Sequence, residues 1–278
     1  MGTSKSSTGP GSGVPLTPPW VPDPTPPEGD GADDSGSQPP QKQPAPPPTP
    51  VPIAPPGRFG PARTSIGRFA RTGSEDDLRR GIGHYIHKGY GGAGTAAQRM
   101  GGTARAAGTL YGALSSAAAG EAAAPGSPFD PALLAGRSAD EVMDALVEAV
   151  RPVDGTQDAE AGRGAIRDAL AELLDRFPDA NLLDLSQDQR LFAIERYVSL
   201  DVFSRFDLDL GKAIKDRAPS ATTALARLKD VKEYIRETVS GRFRALRNAG
   251  EQLGAHRISE MMDQALRDAF AVFEDYVR

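Results

Sequence analysis

Ser186-Gln187-Asp188-Gln189-Arg190-Leu191-Phe192-Ala193-Ile194-Glu195-Arg196-Tyr197-Val198 and its continuation to Phe206 decide the fold of this chain. A serine followed three residues later by glutamine is the signature of a helix N-terminus, because each side chain can satisfy a backbone N–H that the helix leaves open. Behind it Leu191, Ile194, Val198, Val202, Phe203 and Phe206 recur at three- and four-residue spacing, which lays one apolar stripe along a helix. Leu210 and Ile214 extend the stripe past an expected kink near Gly211. The same grammar holds on both sides. Ser138-Ala139-Asp140-Glu141 is a capping box ahead of Val142, Met143, Leu146, Val147 and Val150, and Pro152 with Gly155 ends that helix. Ile166, Leu170, Leu173, Leu174 and Phe177 form the next stripe, stopped before Pro178. Pro219–Asn248 carries Leu225, Leu228, Val231, Ile235, Val239 and Leu246, and Ile258, Met261, Met262, Leu266, Phe270 and Phe273 close the chain. No stretch alternates with the two-residue period of a strand. Residues 128–278 therefore read as an all-α bundle, entered through the small-residue linker Ala117–Ser127.

Candidate chemistry in this bundle is sparse. Asp201, Asp207 and Asp209 lie near Arg205, and Glu233 and Glu237 are four apart. Paired carboxylates can do acid–base work or hold a cation, but these interleave with lysine and arginine as solvated helix faces do. The solvated reading is adopted here. There is no Ser/His/Asp elbow, no HExxH and no cysteine. The expectation is a protein without catalytic residues, bound metal or cofactor, and not an enzyme.

Upstream, residues 58–118 form a separate, basic and glycine-rich segment with nine lysines and arginines against three acids. Arg58-Phe59-Gly60-Pro61-Ala62-Arg63 and Gly67-Arg68-Phe69-Ala70-Arg71 read as irregular basic chain with interleaved aromatics. Such a strip can lie in an acidic protein groove, burying Phe59, Ile66 and Phe69 while Arg58, Arg63, Arg68 and Arg71 pair with carboxylates. It can also track phosphates and stack on bases, or be plain linker. The protein-docking reading is preferred. Ser74-Glu75-Asp76-Asp77 then opens a helix with Leu78, Ile82, Tyr85 and Ile86 on its apolar face. His84 and His87 share that helix, but a packed or solvated pair is the expected state, since no third ligand is evident nearby. Gly89–Gly94 breaks the helix and satisfies neither phosphate-loop pattern. From Thr95 to Ala119 small residues recur at helical spacing: Ala97 with Gly101, Gly102 with Ala106, Gly108 with Gly112. They predict close backbone packing against a neighbour, the C-terminal body or a partner, with Met100, Leu110, Tyr111 and Leu114 as the larger knobs.

Residues 1–57 are dominated by Pro, Gly, Ser, Thr, Asp and Gln. So few apolar side chains cannot offset the entropy of ordering the backbone, and the segment is expected to be a disordered arm. Its proline runs favour polyproline II, a semi-stiff spacer spanning roughly 40 Å as a coil and more than 100 Å if extended. At its tip Met1 precedes Gly2, so trimming of the methionine would expose an unhindered α-amine with a pKa of about 7.7–8.0. Thr3, Ser4 and the following glycines and serines make a strand thin enough for a narrow channel. Pro15, Leu16, Pro19 and Trp20 supply the first apolar anchors, suited to a linear motif in an aromatic-lined groove; a chance Leu and Trp in a proline-rich leader is the competing reading. Met1-Gly2-Thr3-Ser4-Lys5-Ser6 also fits the N-myristoylation pattern, but one acyl chain binds membranes marginally and no cysteine offers a second.

Met1-Gly2-Thr3-Ser4, the Gly/Ser run with Gly9-Pro10, then Pro15-Leu16 and Pro19-Trp20 resemble the opening of QatB proteins, components of four-gene Qat anti-phage defence systems of bacteria. The likeness continues through the Gly/Arg segment Gly57–Gly112 and the helical C-terminal half. The resemblance implies companions: an ATPase, a QueC-like enzyme (QatC) and a TatD-like nuclease. It also implies a role, in which the QueC-like partner activates a 7-deazaguanine carboxylate with ATP and passes it to the amine of Gly2. An exposed, uncharged nitrogen is what acyl transfer to an amine needs. This chain would be the substrate of that reaction.

The whole composition is compatible with that setting. Net charge is −5 over 278 residues, which announces no nucleic-acid partner, and the absence of cysteine rules out disulfides and thiolate metal sites. No apolar signal region or transmembrane run is present, so a soluble, cytoplasmic protein is expected.

Overall fold

The computed structural model describes residues 15, 54–123, 126–247 and 253–278. Among them the architecture is all-α, with no strand. Eleven α-helices follow in order: α1 (Gly60–Thr72), α2 (Glu75–His84), α3 (Ala93–Arg99), α4 (Gly101–Ala118), α5 (Pro131–Leu134), α6 (Ala139–Val150), α7 (Gln157–Arg176), α8 (Gln187–Phe206), α9 (Lys212–Arg217), α10 (Ala221–Leu246) and α11 (Ala255–Asp275). Two π-helical turns interrupt them, π1 (Tyr85–Gly89) after α2 and π2 (Asp207–Gly211) between α8 and α9.

The helix starts follow the expected chemistry. Ser138 and Ser186 each head a complete capping box, with Glu141 and Gln189 returning a side-chain hydrogen bond to the cap N–H. Ser74, Thr156 and Ser220 accept from the backbone N–H three residues on. Gly73 ends α1 at φ 75°, a left-handed conformation open to glycine at little cost.

α8 lies at the centre. It packs against α7 on one side, α10 on another and α4 on a third, so that Leu191, Ile194, Tyr197, Val198, Val202 and Phe206 are all buried. α4 packs against α11 along its small-residue face. A methyl group on Gly108 would sit 2.5 Å from the Ala255 carbonyl oxygen, and one on Gly112 would sit 3.1 Å from the Ala255 side chain. The neighbour that the glycines anticipate is therefore α11, within the chain's own body. Gly101 and Gly102 meet only the Arg105 side chain.

The basic segment differs from the expectation in one respect. Arg58–Arg71 is not irregular chain: Gly60–Thr72 is a helix, with Pro61 in its first turn and Gly73 as its stop. Ala62, Ile66, Phe69 and Ala70 fall on one face at helical spacing, and all four are buried, as is Phe59 just ahead of the helix. They pack against α2, α9 and π1 and join one continuous core running from Phe59 to Phe273. The kink near Gly211 is likewise a π turn. One inserted residue rotates everything beyond it by about 100°, which carries Ile214 back into the core.

Candidate functional site

The tip residues Gly2, Thr3, Ser4, Leu16, Pro19 and Trp20 lie outside the described residues, and Pro15 is exposed. The basic set is split by the fold. Phe59 and Phe69 point into the chain's own core, where a partner groove was expected to receive them. Arg71 is exposed, and Arg68 pairs with Asp77 at 2.9 Å. Arg63 lies over the Phe59 ring at 5.9 Å. Arg58 is buried, with 5 % of its surface exposed.

Of the polar residues that sequence reasoning placed on a solvated face, Asp201 and Arg205 are inside, whereas Asp207, Asp209 and Glu233 are half-buried and Glu237 is exposed. Asp201 has no exposed surface and Arg205 only 6 %. α8 is enclosed by three helices, so a carboxylate and a guanidinium four residues apart on it face neighbours and not water. Thr103 of α4 donates its hydroxyl to Asp201 Oδ2, and Arg205 Nε lies 3.6 Å from the same oxygen. Arg205 Nη1 donates to Asp158 of α7 at 2.8 Å, and Arg99 of α3 approaches Asp158 at 4.0 Å. Burial opposes the charge on Arg205, but Asp201 and Asp158 outweigh it and hold the guanidinium pKa above its ordinary value. Arg99, Asp158, Arg205 and Asp201 thus form a charge-balanced chain joining α3, α7 and α8.

The second cluster is built by the two π turns. Tyr85 opens π1, Tyr90 follows it, and Asp209 sits in the middle of π2. Both tyrosine hydroxyls donate to Asp209 Oδ2 at 3.0 Å, and they lie 3.2 Å from one another. Burial, reinforced by the neighbouring carboxylate, pushes both phenols above their ordinary pKa, and burial raises Asp209 as well. Phe59 packs beside both tyrosine rings, at 5.7 and 6.1 Å. Over the other side of Phe59 lies Arg58, its guanidinium carbon 4.7 Å from the ring centre. All three of its nitrogens are buried without a hydrogen-bond partner. Burial lowers the Arg58 pKa, and Arg99 lowers it further, against Tyr90, Asp209 and Tyr85. Local π turns recur at functional sites; here two of them converge on one carboxylate beside one unpaired cation.

One of the two neighbouring histidines serves a structural contact. His87 Nδ1 meets Glu274 Oε1 at 2.8 Å, while Glu274 Oε2 accepts the Ala93 N–H at 3.0 Å. Burial works against the Glu274 charge, yet those two contacts and Arg278 hold its pKa below the usual value. The Gly89–Gly94 loop thus receives a carboxylate of its own chain. Among the described residues no group of three or more potential ligands gathers to hold a metal. A half-open cleft of 530 Å³ lies between the start of α7 and the end of α8, lined by Glu160, Asp168, Ser204 and Asp207 among others. No described helix is long and apolar enough to cross a membrane.

Of the second cluster, Arg58, Phe59, Tyr85 and Asp209 drew notice in the sequence, each in another role, and Tyr90 only as part of the glycine-rich break. The readable clue was Asp201 and Arg205 on a helix with apolar residues on every side; the π turns leave no sequence signal.

Fold and clusters together define an all-α body with two polar clusters in and beside its core. The family model described as Qat anti-phage system associated protein QatB matches residues 91–273. That range covers more than half of the chain, and the chain belongs to the QatB family, a component of the Qat anti-phage system. No curated protein matches it, and no solved structure does either. The matched range runs from α3 into α11, so the tip residues that carry the sequence resemblance lie outside it.

Proposed function

We propose that this chain is the protein substrate of its Qat system, acylated at its own N-terminus and not itself a catalyst. After removal of Met1, the α-amine of Gly2 attacks a 7-deazaguanine carboxylate that a QueC-like partner has activated with ATP. The C–N amide bond forms as the activating group leaves and the amine gives up a proton. Membership of the QatB family, through residues 91–273, is the observation that carries this reading. The Met-Gly start and the thin Gly/Ser tip supply the nucleophile that the chemistry needs.

In this reading Thr3, Ser4, Pro15, Leu16, Pro19 and Trp20 seat the tip in the partner, while Arg63, Arg68 and Arg71 contribute from the surface of α1. Phe59 and Phe69 act from within, by fixing α1 on the body, and Arg58 lies buried over the Phe59 ring. The system ATPase and the TatD-like nuclease are further candidate partners, and the setting is the cytoplasm.

The test is the intact mass and N-terminal peptide sequence of the full chain expressed with and without the QueC-like neighbour. Loss of Met1 plus a nucleobase-sized adduct on Gly2, seen only with an active partner, is the expected result. Gly2→Leu, which hinders both trimming and attack, should remove the adduct and abolish phage protection. A bare glycine beside an active partner, with Gly2→Leu still protective, would overturn the proposal in favour of an unmodified adaptor that binds by linear motifs.

A further inference from the structure

The half-open cleft between α7 and α8 has a floor and a rim of different character. Phe203 and Leu208, half-buried on α8 and π2, give it apolar surface, and Glu160, Asp168 and Asp207 stand around them. No lysine, arginine or histidine lines it among the described residues. Two of the acids have partners outside the lining: Asp207 faces Lys215 at 3.4 Å, and Glu160 shares Arg163, at 3.8 Å, with Glu148. Asp168 is exposed, and its side chain has no ion pair or hydrogen bond among the described residues. Gly164 lies in the same wall. Helices disfavour an interior glycine, and no packing within the described body asks for this one, since a methyl group there would meet nothing within 4 Å. Its bare backbone leaves room for another segment to come close.

The chain outside the described body joins it near this cleft. Ala54 is buried, and Phe59 packs on Tyr85 and Tyr90, whose hydroxyls hold Asp209 of π2. Asp207 and Leu208 of that same turn line the cleft. The residues between Trp20 and Ala54 span about 30 Å as a coil, and they start on the side where the cleft lies. Charge selects the tip. Residues 1–22 carry Lys5 and no acid, whereas residues 23–34 carry Asp23, Glu28, Asp30, Asp33 and Asp34. The dimensions agree: Leu16 and Trp20 would stand about 12 Å apart in polyproline II, and the wall from Gln157 to Asp168 runs about 16 Å along α7.

We infer that this cleft seats the chain's own N-terminal tip, with Leu16 and Trp20 on Phe203 and Leu208, the backbone between them over Gly164, and the Lys5 end toward the acidic rim. Apolar side chains in a proline-rich frame dock on apolar grooves in this way. Attachment to the same chain makes the contact intramolecular. At an effective concentration of about 1 mM, a contact with a Kd of about 0.1 mM is occupied about nine-tenths of the time. A partner that takes the tip must first draw it from the cleft. The seat belongs to the chain without its partner, and it does not rest on acylation of Gly2.

Trp20 is the chain's only tryptophan, so its fluorescence reports the seat directly. In the full chain, acrylamide should quench it about fivefold less than in the isolated peptide 1–22, and its emission should lie at shorter wavelength. Gly164→Leu fills the cleft while supplying a better helix former, and it should restore the quenching of the peptide. Asp168→Lys should do the same through charge. Asp175→Lys, exposed further along α7 and outside the lining, should leave the protection intact. Quenching in the full chain equal to that of the peptide would overturn the seat, and so would protection that survives both cleft variants. Protection lost on dilution would make the occupant the tip of a second copy and overturn it likewise. All of these outcomes are measured without the QueC-like partner, so none of them decides the adduct test on Gly2.

Discussion

The two polar clusters of this molecule share ingredients and differ in their sums. Around Asp201 the charges alternate: Arg99, Asp158, Arg205, Asp201, with Thr103 closing the end. Around Asp209 the carboxylate is shared by two tyrosines, and Arg58 is left over. A set balanced in charge ties α3, α4, α7 and α8 together, although Asp201 Oδ1 and Arg205 Nε still lack a hydrogen bond. The other set leaves a buried guanidinium with no hydrogen bond. Burial alone does not distinguish them; the balance of charge does.

The largest effect should come from breaking the balanced set. Asp201→Ala leaves Arg205 buried beside a cavity, with only the half-exposed Asp158 as a partner. Removing one member of a buried pair typically costs about 3–5 kcal/mol, and denaturant unfolding of the full chain should show a loss of that order. If the loss stays below about 1 kcal/mol, the cluster is better solvated than its geometry indicates. A smaller effect should follow from unseating the helix that brings Thr103 to Asp201. Gly108→Ala drives a methyl group against the α11 backbone at Ala255 and should cost about 1–3 kcal/mol by overpacking. Gly101→Ala, at an open position near the start of the same helix, should be neutral or slightly stabilising. Equal losses at the two glycines would mean that α4 is not seated on α11 through Gly108.

The other set predicts the opposite sign. Arg58→Met removes a buried charge that makes no hydrogen bond and keeps an apolar stem on Phe59. Stability should be unchanged or raised by about 1 kcal/mol. A loss as large as that of Asp201→Ala would show that Arg58 is paired in solution, and the contrast between the clusters would disappear.

Much of the fold was legible in the sequence, because its signals are local. Ser138 with Glu141, and Ser186 with Gln189, announce helix starts through bonds spanning three residues. The stripes behind them need only one face to be apolar. The glycines of α4 announced a close neighbour without naming it, since Ala255 lies 147 positions beyond Gly108. The clusters were hidden for a related reason. Asp201 and Arg205 look like a solvated pair when α8 is considered alone, and only the convergence of α4, α7 and α10 turns them inward. Tyr85 and Asp209 are 124 residues apart and meet because each of two helices gains one residue. Pro61 and Gly73 did bracket a helix, but the arginines between them suggested open chain.

The smallest expected effect concerns pH, and it sets Asp209 against Glu274. Burial raises the Asp209 pKa in the folded state, despite the two tyrosine hydrogen bonds. Between the unfolded value of about 3.9 and the raised folded value, the folded chain holds a proton that the unfolded chain has lost. Stability therefore falls as pH rises through that window. Glu274 has the reverse slope, because its folded pKa is lowered: its contribution is present above its unfolded value and is lost as pH falls through the folded one. Asp209→Asn can still accept from the tyrosines and does not titrate. Its stability should lack the decline above about pH 4 that wild type shows, while the loss on acidification that Glu274 contributes remains. Parallel pH profiles for the two proteins would mean that Asp209 ionises as freely in the folded chain as in the unfolded one, with solvent reaching it past the tyrosines.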